Sequence, residues 1–139
     1  MQTNQAFDAI ALRTALLLRG VKLNPPASDA SLSRLEIWAG APLDHGFVEV
    51  YRQFDGFADG SISGSAFVSV WRIEKMLDQK RSERPEICFA DWFIEAFHFF
   101  TDPTSAGKVT FDLDSKVEIP TFERFWEIIL ADDEYALGI

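Results

Sequence analysis

"FADWFIEAFHFF", residues 89–100, is the stretch whose reading decides the fold. Six of its twelve residues are aromatic, and among them stand Asp91, Glu95 and His98, residue types of acid–base and metal chemistry. Read as a helix, Phe89, Trp92, Phe93, Ala96, Phe97 and Phe100 form one apolar face and the three ionisable residues share the other. Glu95-Ala96-Phe97-His98 is then a Glu-x-x-His motif, the helical spacing that ligates paired iron in helix bundles. Such a centre needs a second copy and two further glutamates. The only other histidine, His45, has Pro42 where its glutamate would stand, so no metal centre is expected. Read instead as two strands hinged near Phe93 to Glu95, the same residues become "ICFAD" and "AFHFF", apolar runs suited to strands covered on both faces. Asp91 and Glu95 then sit at strand ends and His98 is an ordinary strand side chain. The preceding "PEICF" favours a strand start, but the twelve residues alone leave both readings open.

On the N-terminal side, the pattern predicts a helix from about Gln5 to Arg19 ended by Gly20, because glycine takes the positive φ that closes a helix. "KLNPPASDAS" is a connection, and Ser28 or Ser31 can cap a second helix through "LSRLEIWAG". Asp44 can cap a third, in which Phe47, Val48, Tyr51 and Phe54 recur at helical spacing until Gly56. "SAFVSVW", residues 65–71, is β-branched and aromatic and reads as a strand. "RIEKMLDQKRSERP" reads as a short helix running into a charged loop. With "EICFAD", "AFHFFT" and "KVTFDLD" as further strand candidates, an antiparallel meander is the economical topology. Pro120 and Thr121 then introduce a closing helix whose Phe122, Phe125, Trp126, Ile129 and Leu130 form one apolar face, expected to pack on the sheet.

The 139 residues suit one domain with a real core: 47% are hydrophobic and 13 are Phe. The single Cys88 rules out an internal disulfide and points to a reducing, cytoplasmic setting. Arg13 and Arg19 interrupt "AIALRTALLLRGV", so it reads as an amphipathic helix and not a signal peptide, and no apolar run approaches the roughly 20 residues of a membrane span. The net charge is −9, and the excess is uneven: residues 101–139 carry nine acids and three bases. Such a surface repels phosphate backbones, which argues against direct nucleic-acid binding; the excess either favours a basic protein partner or serves only to keep the domain soluble.

Candidate sites compete with structural explanations. Against a calcium-binding loop, Asp55 and Asp59 fall at positions 1 and 5 with Gly60 at 6, but Phe57 and Ala66 occupy positions 3 and 12 where oxygen ligands are needed. The stretch reads better as a glycine-rich turn. Cys88, between Ile87 and Phe89, is expected to be buried and inert, and no nucleophile elbow or phosphate-binding glycine loop is present. Asp112 and Asp114 share one face of a strand opposite Phe111 and Leu113, with Glu118 nearby, as a solvated or partner-contacting face would. No catalytic constellation is complete, and no cofactor or metal is expected.

Taken in order, "LEIWAGAPLDHGFVEVYRQFDGF", "FVSVWRIEKM", "ICFADWFIEAFHFF" and "KVTFDLDSKVEIPTFERFWEIIL" resemble the SUKH superfamily. This superfamily includes bacterial immunity proteins of polymorphic toxin systems and fungal regulators of cell-wall synthesis. The likeness covers about residues 33–131, leaving 1–32 as an additional helix and linker within a single domain spanning 1–139. Pro42-Leu43 reverses the leucine-before-proline order usual in the family. The resemblance implies an α+β fold, an antiparallel sheet of about six strands with N-terminal helices and a C-terminal helix packed against it, and so tips residues 89–100 toward two core strands. It also implies a non-enzymatic protein that neutralises a toxin, often a nuclease. The charged contact rim would be Asp55, Asp59, Asp112, Asp114 and Glu118, with Phe57 as an exposed aromatic anchor. The alternative it carries is a regulatory or scaffold module for a housekeeping protein.

Overall fold

The computed structural model describes residues 7–58, 61–63, 67–79, 85–92, 95–111 and 118–137. Residues 89–92 and 97–100 fall in two strands, as the resemblance implied: β2 (Ile87–Trp92) and β3 (Phe97–Asp102) pair antiparallel. With β1 (Val68–Val70), β4 (Lys108–Phe111) and β5 (Glu118–Ile119) they make a meander in the order β1-β2-β3-β4-β5, every neighbour antiparallel. The fold is α+β, with five strands among the described residues where about six were expected.

Helices α1 (Ala9–Leu18), α2 (Asp29–Ala39) and α3 (His45–Tyr51) precede the sheet. Helix α4 (Ile73–Leu77) follows β1, and α5 (Phe122–Ala131) and α6 (Glu134–Leu137) close the chain. Short polar side chains start them by accepting otherwise orphaned backbone N–H groups. Ser28 accepts from Ser31, Asp44 from Phe47 and Thr121 from Arg124, at 3.1, 3.3 and 3.1 Å. Gly40, at φ 72°, ends α2. Helix α3 stops at Tyr51, short of the predicted Phe54, and turns toward Gly56. None of the described helices is long and apolar enough to cross a membrane.

Paired residues across antiparallel strands share a face, so the register sorts the sheet. Val68, Val70, Ala90, Phe99, Phe111, Val109 and Ile119 face the helices and are buried. A bulge between Cys88 and Ala90 leaves Phe89 unpaired in the ladder, and its ring packs between Phe122 and Phe125 at 5.3 and 5.0 Å. Helix α5 is the hub: Phe125 also meets Phe99, and Trp126 meets Phe54 and Phe57.

The N-terminal helix does not lie on the sheet. It packs through Leu12 and Leu16 against α3 and α5, and Arg19 at its end donates to the carbonyls of Ile129 (3.3 Å) and Leu130 and pairs with Asp132. A cation there satisfies the last-turn acceptors of α5 and complements its dipole.

Candidate functional site

The opposite face of the sheet carries Ser69, Asp91 and His98 in one row across β1, β2 and β3. Alternation along the chain brings Trp71, the residue after β1, to the same face as Ser69. Its indole Nε1–H donates to Asp91 Oδ2 at 2.5 Å, and its ring meets the His98 ring edge-on at 5.7 Å. The other Asp91 oxygen accepts the backbone N–H of Glu95 at 3.1 Å, which ties the β2–β3 turn back to β2. Lys75, one helical turn beyond Trp71 on α4, sets its ammonium 4.4 Å from the indole centroid and 3.4 Å from Glu95 Oε1. Ser69, Asp91, Lys75 and Glu95 of this set line a pocket of about 440 Å³. Asp91, only 4% exposed, lines its interior with Ser69. Lys75, Glu95 and Ser61 flank it, and Phe67 (49% exposed) and Ile62 (37%) form its apolar rim.

Four non-glycine residues among those described have positive φ, and two of them, Phe67 (54°) and Glu95 (61°), line this pocket. A bulky side chain in the left-handed region costs about 1–2 kcal/mol.

The polar groups that line the pocket are tied to one another and to the backbone. Both Asp91 oxygens are engaged in hydrogen bonds, Glu95 is paired with Lys75, and the Ser61 hydroxyl accepts the Lys22 N–H at 2.9 Å. Glu95 lies in a turn and His98 on a strand, so the helical Glu-x-x-His geometry does not form. Among the described residues no group of three His, Cys, Asp or Glu side chains is placed to hold a metal ion. Cys88 is buried, as its apolar neighbours suggested.

The residues expected to form the contact rim fare unevenly. Phe57 is not exposed: it is buried at 3%, its backbone bridges to Leu23, and its ring packs on Trp126 at 6.0 Å. That corrects its assignment as an exposed anchor, a role for which Phe67 and Ile62 have the exposure. Asp55 is half-buried and structural. Arg72 occupies the N-cap position of α4 without a side-chain cap, and the Asp55 carboxylate fills the gap by accepting the Ile73 N–H at 2.8 Å. Burial pushes the Asp55 carboxyl above its ordinary value, against the lowering pull of that N–H and of Arg72. Next to it, burial and then the Asp55 charge push the Tyr51 hydroxyl well up; this hydroxyl donates to the Trp71 carbonyl at 2.6 Å. Gly56 between Asp55 and Phe57 is required by space: a Cβ there would stand 2.4 Å from the Trp71 carbonyl carbon and oxygen. Glu118 is exposed on β5 and pairs with Lys108 at 3.8 Å. It sits at the far edge of the sheet from β1, roughly 19 Å away at four strand spacings, so Asp55 and Glu118 do not share one rim. Asp59, Asp112 and Asp114 lie outside the described residues.

No family model matches this chain, and no curated protein matches it.

Proposed function

We propose that the protein is a non-enzymatic protein-binding domain that neutralises a basic, nuclease-type toxin of a bacterial polymorphic toxin system, the role implied by its SUKH-like order of elements. The observation that carries this reading is the imbalance of charge. Residues 101–139 hold nine acidic and three basic side chains, and Glu118, Glu127, Asp132 and Asp133 among them are exposed. An acidic surface raises the encounter rate with a cationic partner and orients it, while affinity comes from apolar anchors. Phe67 and Ile62 are the exposed apolar residues of the pocket rim, and its ionisable groups are held in internal bonds, an arrangement suited to contact more than to proton transfer. Cys88 as the single, buried thiol agrees with a cytoplasmic address.

The test is capture of partners by the tagged protein from its native host at low and moderate salt, with mass spectrometry of what is retained. The expected partner is a basic, nuclease-like protein whose retention weakens as salt rises. Alanine at Asp59, Asp112, Asp114 and Glu118, with Asp55 left to cap α4, is expected to lower its association rate. Unchanged binding by that variant would sink the acidic-face reading, and a salt-stable housekeeping complex would replace the immunity role with that of a scaffold.

A further inference from the structure

We infer that the pocket on the open face of the sheet is the seat for one arginine side chain of the protein partner. The inference rests on the protein-binding reading and adds the chemistry of one contact. Among the described residues three charged side chains border the cavity, Asp91 and Glu95 negative and Lys75 positive, a balance of −1. Lys75 is committed to Glu95 at 3.4 Å. Among the described residues Asp91 receives only the Trp71 indole N–H and the Glu95 amide N–H, and it forms no ion pair. A carboxylate has about four acceptor positions, and the described residues fill two of them. A buried carboxylate is stabilised by a cation supplied from the open side.

The walls select the kind of cation. Phe67 and Ile62 are half-exposed at the mouth and match the methylene stem and planar face of a guanidinium, which stacks on aromatic rings and tolerates partial desolvation better than an ammonium. The pocket volume lies within the range of sites that hold small ligands. The left-handed backbone at Phe67 and Glu95 keeps an aromatic rim and a carboxylate where glycine would be cheaper.

The test uses the full chain labelled with ¹⁵N and the peptide acetyl-Gly-Arg-Gly-amide, with its citrulline counterpart as the isosteric neutral control. The arginine peptide is expected to shift the Trp71 indole N–H and the Glu95 amide saturably at millimolar concentration, and the citrulline peptide to bind about tenfold more weakly. Glu95→Gln is expected to weaken arginine binding about fivefold, and Lys75→Met, which keeps the apolar stem and removes the competing cation, to strengthen it by a similar factor. Damage to the pocket would weaken binding in both variants, so the opposite signs isolate charge from shape. Equal shifts from both peptides, no shift at either reporter, or weaker binding by Lys75→Met would overturn the inference. The protein-binding reading would survive that result, since it stands or falls on capture of a basic partner and on the acidic-face variant.

Discussion

Asp55 illustrates how one residue can look like a ligand and act as a cap. Its position ahead of a glycine-rich turn matches the opening of a calcium loop, yet its carboxylate holds the first N–H of α4. Asp55→Ala is therefore expected to destabilise the fold by about 1–2 kcal/mol in urea titrations, the usual cost of a lost cap. Asp55→Asn keeps an oxygen for Ile73 and separates the cap from the charge. Because the folded carboxyl is raised above its ordinary 3.8, the stability it contributes is whole below that pH and is lost as pH rises through the folded value. The asparagine variant lacks this loss, so its stability relative to the parent is expected to improve across that window and then level off. Asp102 has the opposite sign. Burial raises it, but hydrogen bonds from the Thr104 hydroxyl and amide and from Ser105, with the nearby Lys108 charge, together hold it below 3.8. Its contribution is present at neutral pH and lost as pH falls through the folded value, which is why the comparison must be between variant and parent at each pH. Phe57 went astray in the sequence for a related reason: "DGFADG" has no period, so nothing local says that Leu23 will bridge to its backbone and Trp126 pack on its ring.

The β2–β3 hairpin shows what elements disclose and what they hide. Its two strands follow from near-continuous apolar runs, and the caps at Ser28, Asp44 and Thr121 follow from residue type and place. Phe67, Ser69 and Trp71 also alternate visibly onto one face of a strand. That this face would be the open one, and that the β2–β3 turn would return to meet it, depends on a register between distant segments that no local pattern encodes. Within the hairpin, Glu95 and Asp91 should respond differently to truncation. Glu95→Gly relieves about 1–2 kcal/mol of left-handed strain, offset by about 0.4–1 kcal/mol of unfolded-chain entropy and at most about 1 kcal/mol for an exposed ion pair. Its stability is expected within about 1 kcal/mol of the parent. Asp91→Ala strands a buried indole N–H and loosens the turn amide, at a cost of about 2–4 kcal/mol. Denaturant melts of the two variants check this, and a loss above 2 kcal/mol for Glu95→Gly would refute the strain account.

At the scale of the whole molecule α5 packs on β4 and β5 and meets α3 and α6, and α1 is held to it by Arg19. Charge is gathered too, toward the C-terminal quarter. If that quarter steers a partner, association rates measured by stopped flow should fall steeply between about 50 and 500 mM salt, while dissociation rates, set by apolar anchors, change little. A uniform effect on both rates would argue against steering. The fold class and the charge excess were legible because both are sums over many residues. The pocket was not, because it is assembled from a loop, a strand end, a helix and a turn drawn from residues 61–95.

The stretch from Trp71 to Ile73 is bound on every side by groups of the core. Tyr51 donates to the Trp71 carbonyl, the Trp71 N–H donates to Phe89, the Phe57 N–H donates to Val70 beside it, and Asp55 holds Ile73. In hydrogen-exchange terms this makes the segment that holds Asp91 through the Trp71 indole part of the slowest-opening unit. The amides of Phe57, Trp71 and Ile73 are expected to exchange only through global unfolding, with the free energy of the whole domain, whereas the Glu95 amide at the pocket's front exchanges through local opening. Of the two carboxylates on the pocket, Asp91 is thus anchored to a segment that stays still while Glu95 sits on one that can adjust.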